Sequence, residues 1–458
     1  MDSRKHAVVI GASMAGLLAA RALYETYERV TILERDRLPE DPTARRGVPQ
    51  GRQLHVLLTL GAEILGELFP GVEGDLIAAG ALRLDPQQDT TYVLDGQAIA
   101  AGPSGLTVLG VSRPTVEHHV RRRVSELPGI TIRSGVQVTG LLIGAAGATA
   151  VGVRTSDGDT PGLEADLVVD ATGRSSRAPA WLRESGFPVP ATDRVEVDVT
   201  YVTRTYRWAQ GQLDGRHGML IVPMPGNPRG GAAMRVEGDR WTVALFGLAG
   251  NAPPVDERPL LAFADALPVP DLARLLREAE PLDDPVPMPY RASVRHRFER
   301  CPRHLDGFVV VGDALCSFNP TYGQGMSVAA MEALILRDLT RAETAGLPAR
   351  FYRAARSVVD DAWTLSVGGD MRFPEIPGRR TVADRILNGY LNRYRRAATV
   401  NAGLATTFLR VAQMKAPATE MLSPRNAVRV MRGSRRAGRP PAVQLPTGHG
   451  DTYPGPPA

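Results

Sequence analysis

Residues 6–34 read HAVVIGASMAGLLAARALYETYERVTILE, and this stretch decides the fold. HAVVI is a short apolar run, GASMAG a glycine turn, LLAARALYETY a helical pattern and RVTILE a second apolar run, together a compact βαβ unit. Gly11, Ser13 and Gly16 take the three positions of G-x-G-x-x-G directly after the strand and at the start of the helix, with Glu34 ending the next strand. Gly11 permits the tight turn and Gly16 lets helix and strand approach. The helix N-terminus faces a pyrophosphate, and Glu34 can accept both hydroxyls of a ribose. Ser13 departs from the pattern, since a hydroxymethyl stands where backbone normally comes nearest to phosphate. Serine is small and can donate a hydrogen bond, so the position still suits the ligand. Arg35, next to Glu34 at the same strand end, is counted with the binding residues.

Outward from this unit, residues 41–51 form a Pro-, Gly- and Arg-rich loop, and a helical pattern runs over 54–69. A helix is expected over 112–127, a strand over 130–144, and a hairpin over 148–168 that ends in DLVVDATGRSS. From 195 to 248 the pattern changes to alternating strands without helices between them, which predicts an antiparallel sheet inserted between two pieces of the nucleotide fold to cover a substrate. LDGFVVVGDALCSF returns to a buried strand and turn, followed by the long helix SVAAMEALILRDLTRAE. The expected division is 1–190 and 291–345 for the discontinuous nucleotide fold, 191–290 for the inserted sheet, 346–432 for C-terminal helices and 433–458 for a disordered tail rich in Pro, Gly and Arg.

A net charge of +5, with arginines scattered or gathered near the C-terminal end, does not imply nucleic acid. Cys301 and Cys316 stand alone, without metal or disulfide spacing, which fits a reducing, cytoplasmic setting. The N-terminal apolar run breaks at Gly11 and reads as a strand rather than a secretion signal. No run approaches the roughly 20 apolar residues of a membrane span, so no transmembrane segment is expected.

The glycine fingerprint alone does not separate NAD from FAD. The stretch RHLDGFVVVGDALCSFNPTYGQGMSVAAMEAL does, because it resembles the second FAD signature of flavoprotein monooxygenases. That resemblance implies that Asp313 binds a ribityl hydroxyl. It also implies that the helix beginning near Gly325 and Met326 points its positive end at the flavin pyrimidine edge, stabilising the charge of reduced flavin. DLVVDATGRSS resembles the strand behind the cofactor in the glutathione-reductase-like fold, and VSRPTVEHHVRRRV places Arg113 where relatives carry an FAD-contacting arginine. The expected class is therefore α/β: a glutathione-reductase-like Rossmann FAD fold with an inserted antiparallel-sheet substrate domain and C-terminal helices.

RRGVPQGRQLHVLL, SRPTVEHHV, the ATGRSS strand, FNPTYGQGM and DDAW at 360–363 resemble bacterial FAD-dependent epoxidases and monooxygenases of polyketides. These include the polyether epoxidases, relatives of squalene epoxidase, and the resemblance extends to roughly residue 420. It implies that Arg45 and the residues after it lie near the isoalloxazine or the pyrophosphate. Arg46 and Arg52 share that loop, and His55 reads as a helix-face histidine without a catalytic task. No Ser/His/Asp set or metal spacing is visible, so catalysis is expected to be flavin-centred, with no catalytic side chain named. The implied reaction is insertion of one oxygen from O₂, by epoxidation or hydroxylation through a flavin C4a-hydroperoxide, into a small hydrophobic substrate. Electrons come from NAD(P)H or a separate flavin reductase. A geranylgeranyl-reductase-like dehydrogenase and a non-catalytic flavin-binding protein are the alternatives. Halogenation is disfavoured, because no Trp-x-Trp-x-Ile-Pro segment or convincing catalytic lysine is found. Leu220, Val222, Met224 and Phe246 read as ordinary core or, failing that, as the lining of a hydrophobic cavity.

Overall fold

The computed structural model describes residues 5–437 except 146, 157–161 and 344. His6–Ile10, Met14–Leu23 and Arg29–Glu34 form the expected βαβ unit. It nucleates a five-stranded parallel sheet in the order Phe308–Val310, Leu167–Asp170, His6–Ile10, Arg29–Glu34 and Ile130–Ser134. The central strands are buried along their length, which is why they read as apolar runs rather than alternations. The strand order reverses beside His6–Ile10, and such a switch point opens a crevice at the carboxyl ends of the strands. Helices Met14–Leu23 and Gly325–Ala342 pack against one another there.

The second sheet has eight strands, and Thr192–Arg207, Gly218–Ile221, Arg229–Val236 and Arg240–Gly247 occupy the expected alternating segment. Its other four strands, Thr90–Leu94, Gln97–Ala98, Val286–His296 and Cys316–Ser317, fall outside that segment. Val286–His296 pairs with Thr192–Arg207 despite Pro287 and Pro289, because that portion of the strand lies along the sheet edge, where a missing N–H costs no ladder bond. Thr90–Leu94 adds in parallel to Gly218–Ile221, a pairing made across more than a hundred residues of chain.

The helix expected over 54–69 begins only at Thr59. Residues before it stay extended because Leu57 bridges Leu109, so tertiary pairing overrides the local helical pattern and His55 does not sit on a helix face. The expected strand over 130–144 divides into Ile130–Ser134 and Val138–Ile143, with Gly135 at φ +77° between them.

Helix Leu347–Asp370 packs against Gly325–Ala342 in the core of the nucleotide fold, and Val382–Ala398, Ala402–Ala412 and Pro424–Arg436 cover the edge hairpin of the second sheet. Tyr394, Ala397, Leu404 and Leu409 share a core there with Leu94 and Ile99 of the sheet's edge hairpin. A capping box between Thr381 and Asp384 starts helix Val382–Ala398, and Asn401 caps Ala402–Ala412. The last helix runs through Gly433, where the tail was expected to begin, and the tail from 438 onward lies outside the described residues. Among the described residues no helix is long and apolar enough to cross a membrane.

Candidate FAD site

The first glycine turn is close-packed. Gly11 has φ +101°, and a Cβ on it would stand 2.8 Å from the Ala171 carbonyl oxygen. A Cβ on Gly16 would stand 1.8 Å from the Gly11 carbonyl oxygen, so only glycine allows this approach of helix to turn. Ser13 is the N-cap but gives no side-chain cap. Its Oγ instead donates to Glu117 Oε2 at 3.1 Å and accepts from Arg113 Nη2 at 3.0 Å. Glu34 is buried at its strand end, with Oε2 accepting from the Ala12 N–H and Oε1 from the Asp36 N–H, both at 2.9 Å.

Arg45 reaches into this cluster from the loop, with Nη1 3.1 Å from Glu34 and 3.0 Å from Asp36, and Nε 3.1 Å from Glu117. Burial opposes its charge, yet Glu117 and Glu34 together raise its pKa. Gly11, Ser13, Glu34, Arg35 and Arg45 all line a cavity of about 120 Å³. Gly16 is not in the lining of this cavity and packs against Gly11 behind it.

Ser13, Arg35, Arg113, Asp313, Gly325 and Met326 line a second cavity of about 1160 Å³, which meets the first at Ser13 and Arg35. Asp313 follows Gly312, whose φ of +64° carries the chain from strand into turn. Desolvation raises the Asp313 pKa, Arg174 and Arg113 pull it down, and no hydrogen bond contributes. A Cβ on Gly325 would meet only Asp313 Oδ1, at 3.7 Å, so the start of the helix is open toward the cavity. Its N-cap, Gln324, supplies no side-chain cap and leaves the first-turn N–H groups for a ligand. Glu332, one helix face behind, accepts the Gly312 N–H at 2.6 Å, and burial pushes its carboxyl up to about 8.

Arg45 Nη2, Gln53 Nε2, Arg113 Nε and Gln324 Oε1 are buried without partners around these two cavities. Native interiors rarely leave such groups unpaired, and a ligand with phosphates, hydroxyls and a polar ring edge supplies the missing partners. The glycine cradle, the open helix end and these orphan groups fit FAD.

Part of the large cavity faces the eight-stranded sheet and the C-terminal helices. Leu220, Val222 and Phe246 line it while also packing into the core of the sheet, whereas Met224 is absent from the lining. His55 also lines it, with Nδ1 2.9 Å from the Gln53 carbonyl oxygen. Burial, then Arg113, pushes its pKa down to about 4, so the ring is neutral at ordinary pH. Arg46 lines the cavity while Arg52 does not. Of DDAW, Trp363 lines the cavity, and Asp360 turns away to Arg295 Nη1 at 2.6 Å.

Sequence reasoning missed a buried polar group beside this wall. Tyr201 Oη meets Asn319 Oδ1 at 3.0 Å and Thr321 Oγ1 at 2.6 Å, while Asp370 accepts from Asn319 Nδ2 at 2.8 Å and from Tyr322 Oη at 3.2 Å. Burial pushes the Asp370 carboxyl up to about 7. Tyr201 alternates inward on its strand and was findable by period. Asp370 ends a helix over a hundred residues away from it in sequence, and no local pattern marks it.

A family model described as "FAD binding domain" matches residues 4–339. Protein Rv3254 of Mycobacterium tuberculosis (strain ATCC 25618 / H37Rv) is 34% identical over 392 residues, covering 81% of each chain. Among solved structures, the flavin-dependent brominase Bmp2 superposes with a TM-score of 0.65 at 17% identity, over 94% of this chain and 98% of that one. The p-nitrophenol 4-monooxygenase PnpA from Pseudomonas putida DLL-E4 gives 0.63 at 16% identity, over 91% and 98%. PqsL of Pseudomonas aeruginosa gives 0.61 at 15%, over 80% and 97%. At these identities the structures show a shared fold. The match over residues 4–339, joined to the geometry above, places this chain in the FAD binding domain family.

Proposed function

We propose that this protein is an FAD-dependent monooxygenase that inserts one oxygen atom from O₂ into a hydrophobic, polyketide- or terpene-like substrate, by epoxidation or hydroxylation. The observation that supports this most is one large cavity lined both by Asp313, Gly325 and Met326 and by apolar side chains of the inserted sheet. About 1160 Å³ exceeds the ~1000 Å³ upper range of ordinary ligand pockets, leaving room for a cofactor ring and a substrate together. Bound FAD supplies the electron transfer and the reaction with oxygen.

The chain's own residues bind, orient and exclude water. Glu34 and the glycine turn hold the adenosine half, with Arg45 fixing Glu34, and Arg113 and Ser13 standing beside the phosphates. Asp313 holds the ribityl chain, and the helix starting at Gly325 sets its positive end against the ring. Leu220, Val222 and Phe246 press an apolar substrate toward that ring and keep the space dry. The parallel sheet is read as the glutathione-reductase-like arrangement, the eight-stranded sheet as the substrate domain, and the setting as cytoplasmic. Reducing equivalents come from NAD(P)H or a partner reductase. The test is aerobic turnover of the FAD-loaded protein with a reductant and polyene substrates. A product heavier by one oxygen, with matching O₂ uptake, supports the reading, and reduction of the substrate without O₂ uptake overturns it.

A further inference from the structure

Where the C-terminal helices line the large cavity, the lining becomes cationic. Arg372 and Arg395 both line it, and both are held from behind by one acid, Asp95, which is not itself part of the lining. Arg372 Nη2 lies 2.5 Å from Asp95 Oδ1, and Arg395 Nε lies 2.6 Å from Asp95 Oδ2. Two guanidiniums sharing one carboxylate leave a surplus positive charge.

Nothing else nearby cancels it. Arg379 and Arg380 line the same part. The carboxylate of Asp384, the one acid in this part of the lining, is engaged by the Thr381 backbone and hydroxyl in the capping box. Asp370, near Tyr322, lies behind the lining and is tied to Asn319 and Tyr322. The surplus charge is also poorly hydrated, with Arg372 and Arg395 side chains only 12% and 10% exposed. Burial, followed by repulsion from Arg372, lowers the Arg395 pKa. Around the pair the walls are apolar or aromatic, including Tyr92, Leu94, Val222, Leu365, Leu391 and Phe408. A buried guanidinium pair with only one carboxylate between them is costly in an apolar pocket unless an anion comes to it, and the guanidinium fork matches a carboxylate in shape.

We propose that Arg372 and Arg395 form an anion subsite, and that the molecule this cavity takes is amphipathic, with an apolar body along the sheet and one carboxylate at the C-terminal helices. Asp95 is a positioning residue that holds both guanidiniums in place. This deepens the function proposed above by naming the substrate class, and it rests on that reading of the cavity.

The experiment is isothermal titration of the FAD-loaded full chain with dodecanoate and, in parallel, with dodecanol of the same chain length, at a pH where the acid is ionised. The acid is expected to bind at least roughly tenfold more tightly than the alcohol, as for a hydrogen bond to a charged group. Arg372→Gln and Arg395→Gln should each remove most of that preference while leaving dodecanol affinity unchanged. Asp95→Asn takes away the carboxylate that holds both guanidiniums in place and should also weaken the preference for dodecanoate over dodecanol. If the trio were only a structural ion pair, all three substitutions would move acid and alcohol alike, and that result overturns the proposal. Equal affinity of the wild-type protein for acid and alcohol, or no saturable binding of dodecanoate, also overturns it without needing any variant. Because binding is the readout, the subsite can fail while oxygen insertion stands. Loss of oxygen insertion with the acid preference intact would instead sink the monooxygenase reading alone.

Discussion

Glu34 and Arg45 meet at 3.1 Å, each more than nine-tenths buried at its side chain, although one ends a strand and the other belongs to a loop. The pair joins the end of the βαβ unit to the arginine loop. Glu34→Ala should lower FAD affinity by about 1–3 kcal/mol, since it removes the acceptor of two backbone N–H groups and of the proposed ribose hydroxyls. Arg45→Met should cost more in stability, on the order of 3–5 kcal/mol, because Glu34 would stay buried without its cation and Glu117 would keep only Arg113, at 3.5 Å. An FAD titration checks the first, and denaturant unfolding of the apoprotein the second. Wild-type FAD affinity in Glu34→Ala would mean that the adenosine lies elsewhere.

Asp313 and Gly325 should separate binding from reactivity. Asp313→Ala removes the proposed ribityl partner and should chiefly weaken FAD binding. Gly325→Val should retain some FAD yet lower the flavin reduction potential, because branched methyls would displace the ring from the helix N–H groups. A redox titration beside a binding titration reads both. An unchanged potential in FAD-loaded Gly325→Val removes the helix end from the flavin site.

Glu332 predicts a pH dependence of stability. In the folded protein its carboxyl keeps the proton to about 8, whereas the unfolded chain releases it near 4.5. Between those values the folded state binds more protons, so this group's contribution is most favourable at low pH and is lost as pH rises toward 8. Glu332→Gln keeps an oxygen for the Gly312 N–H and has nothing to ionise. It should be more stable than wild type at pH 8, by on the order of 4 kcal/mol, and nearly equal to it at pH 4. Parallel unfolding curves across that range would rule the ionisation out.

Gly16→Ala should be among the most damaging single methyl additions in the protein. Its Cβ would overlap the Gly11 carbonyl oxygen, which backbone cannot yield without opening the turn. A loss of roughly 3 kcal/mol or more is expected, together with loss of FAD. Near-normal thermal unfolding would show that the turn is more pliant than its packing implies.

The βαβ unit was legible in the sequence because its signals are local: an apolar run, glycines at set spacing, a helical period and an acid at a strand end. The same holds for the helix that starts at Gly325, since glycines and an apolar strand lie within one short stretch. Tertiary structure alone decided the rest. Thr90–Leu94 joined the second sheet through a partner more than a hundred residues away, and Leu57 kept His55 off the helix by bridging Leu109. The pairing of Arg45 with Glu34, the shared hold of Asp95 on Arg372 and Arg395, and the burial that lifts Asp370 each depend on distances between segments remote in the chain. Backbone propensity is written residue by residue, whereas desolvation and ion pairing arise only once folding has brought those segments together and excluded water from between them.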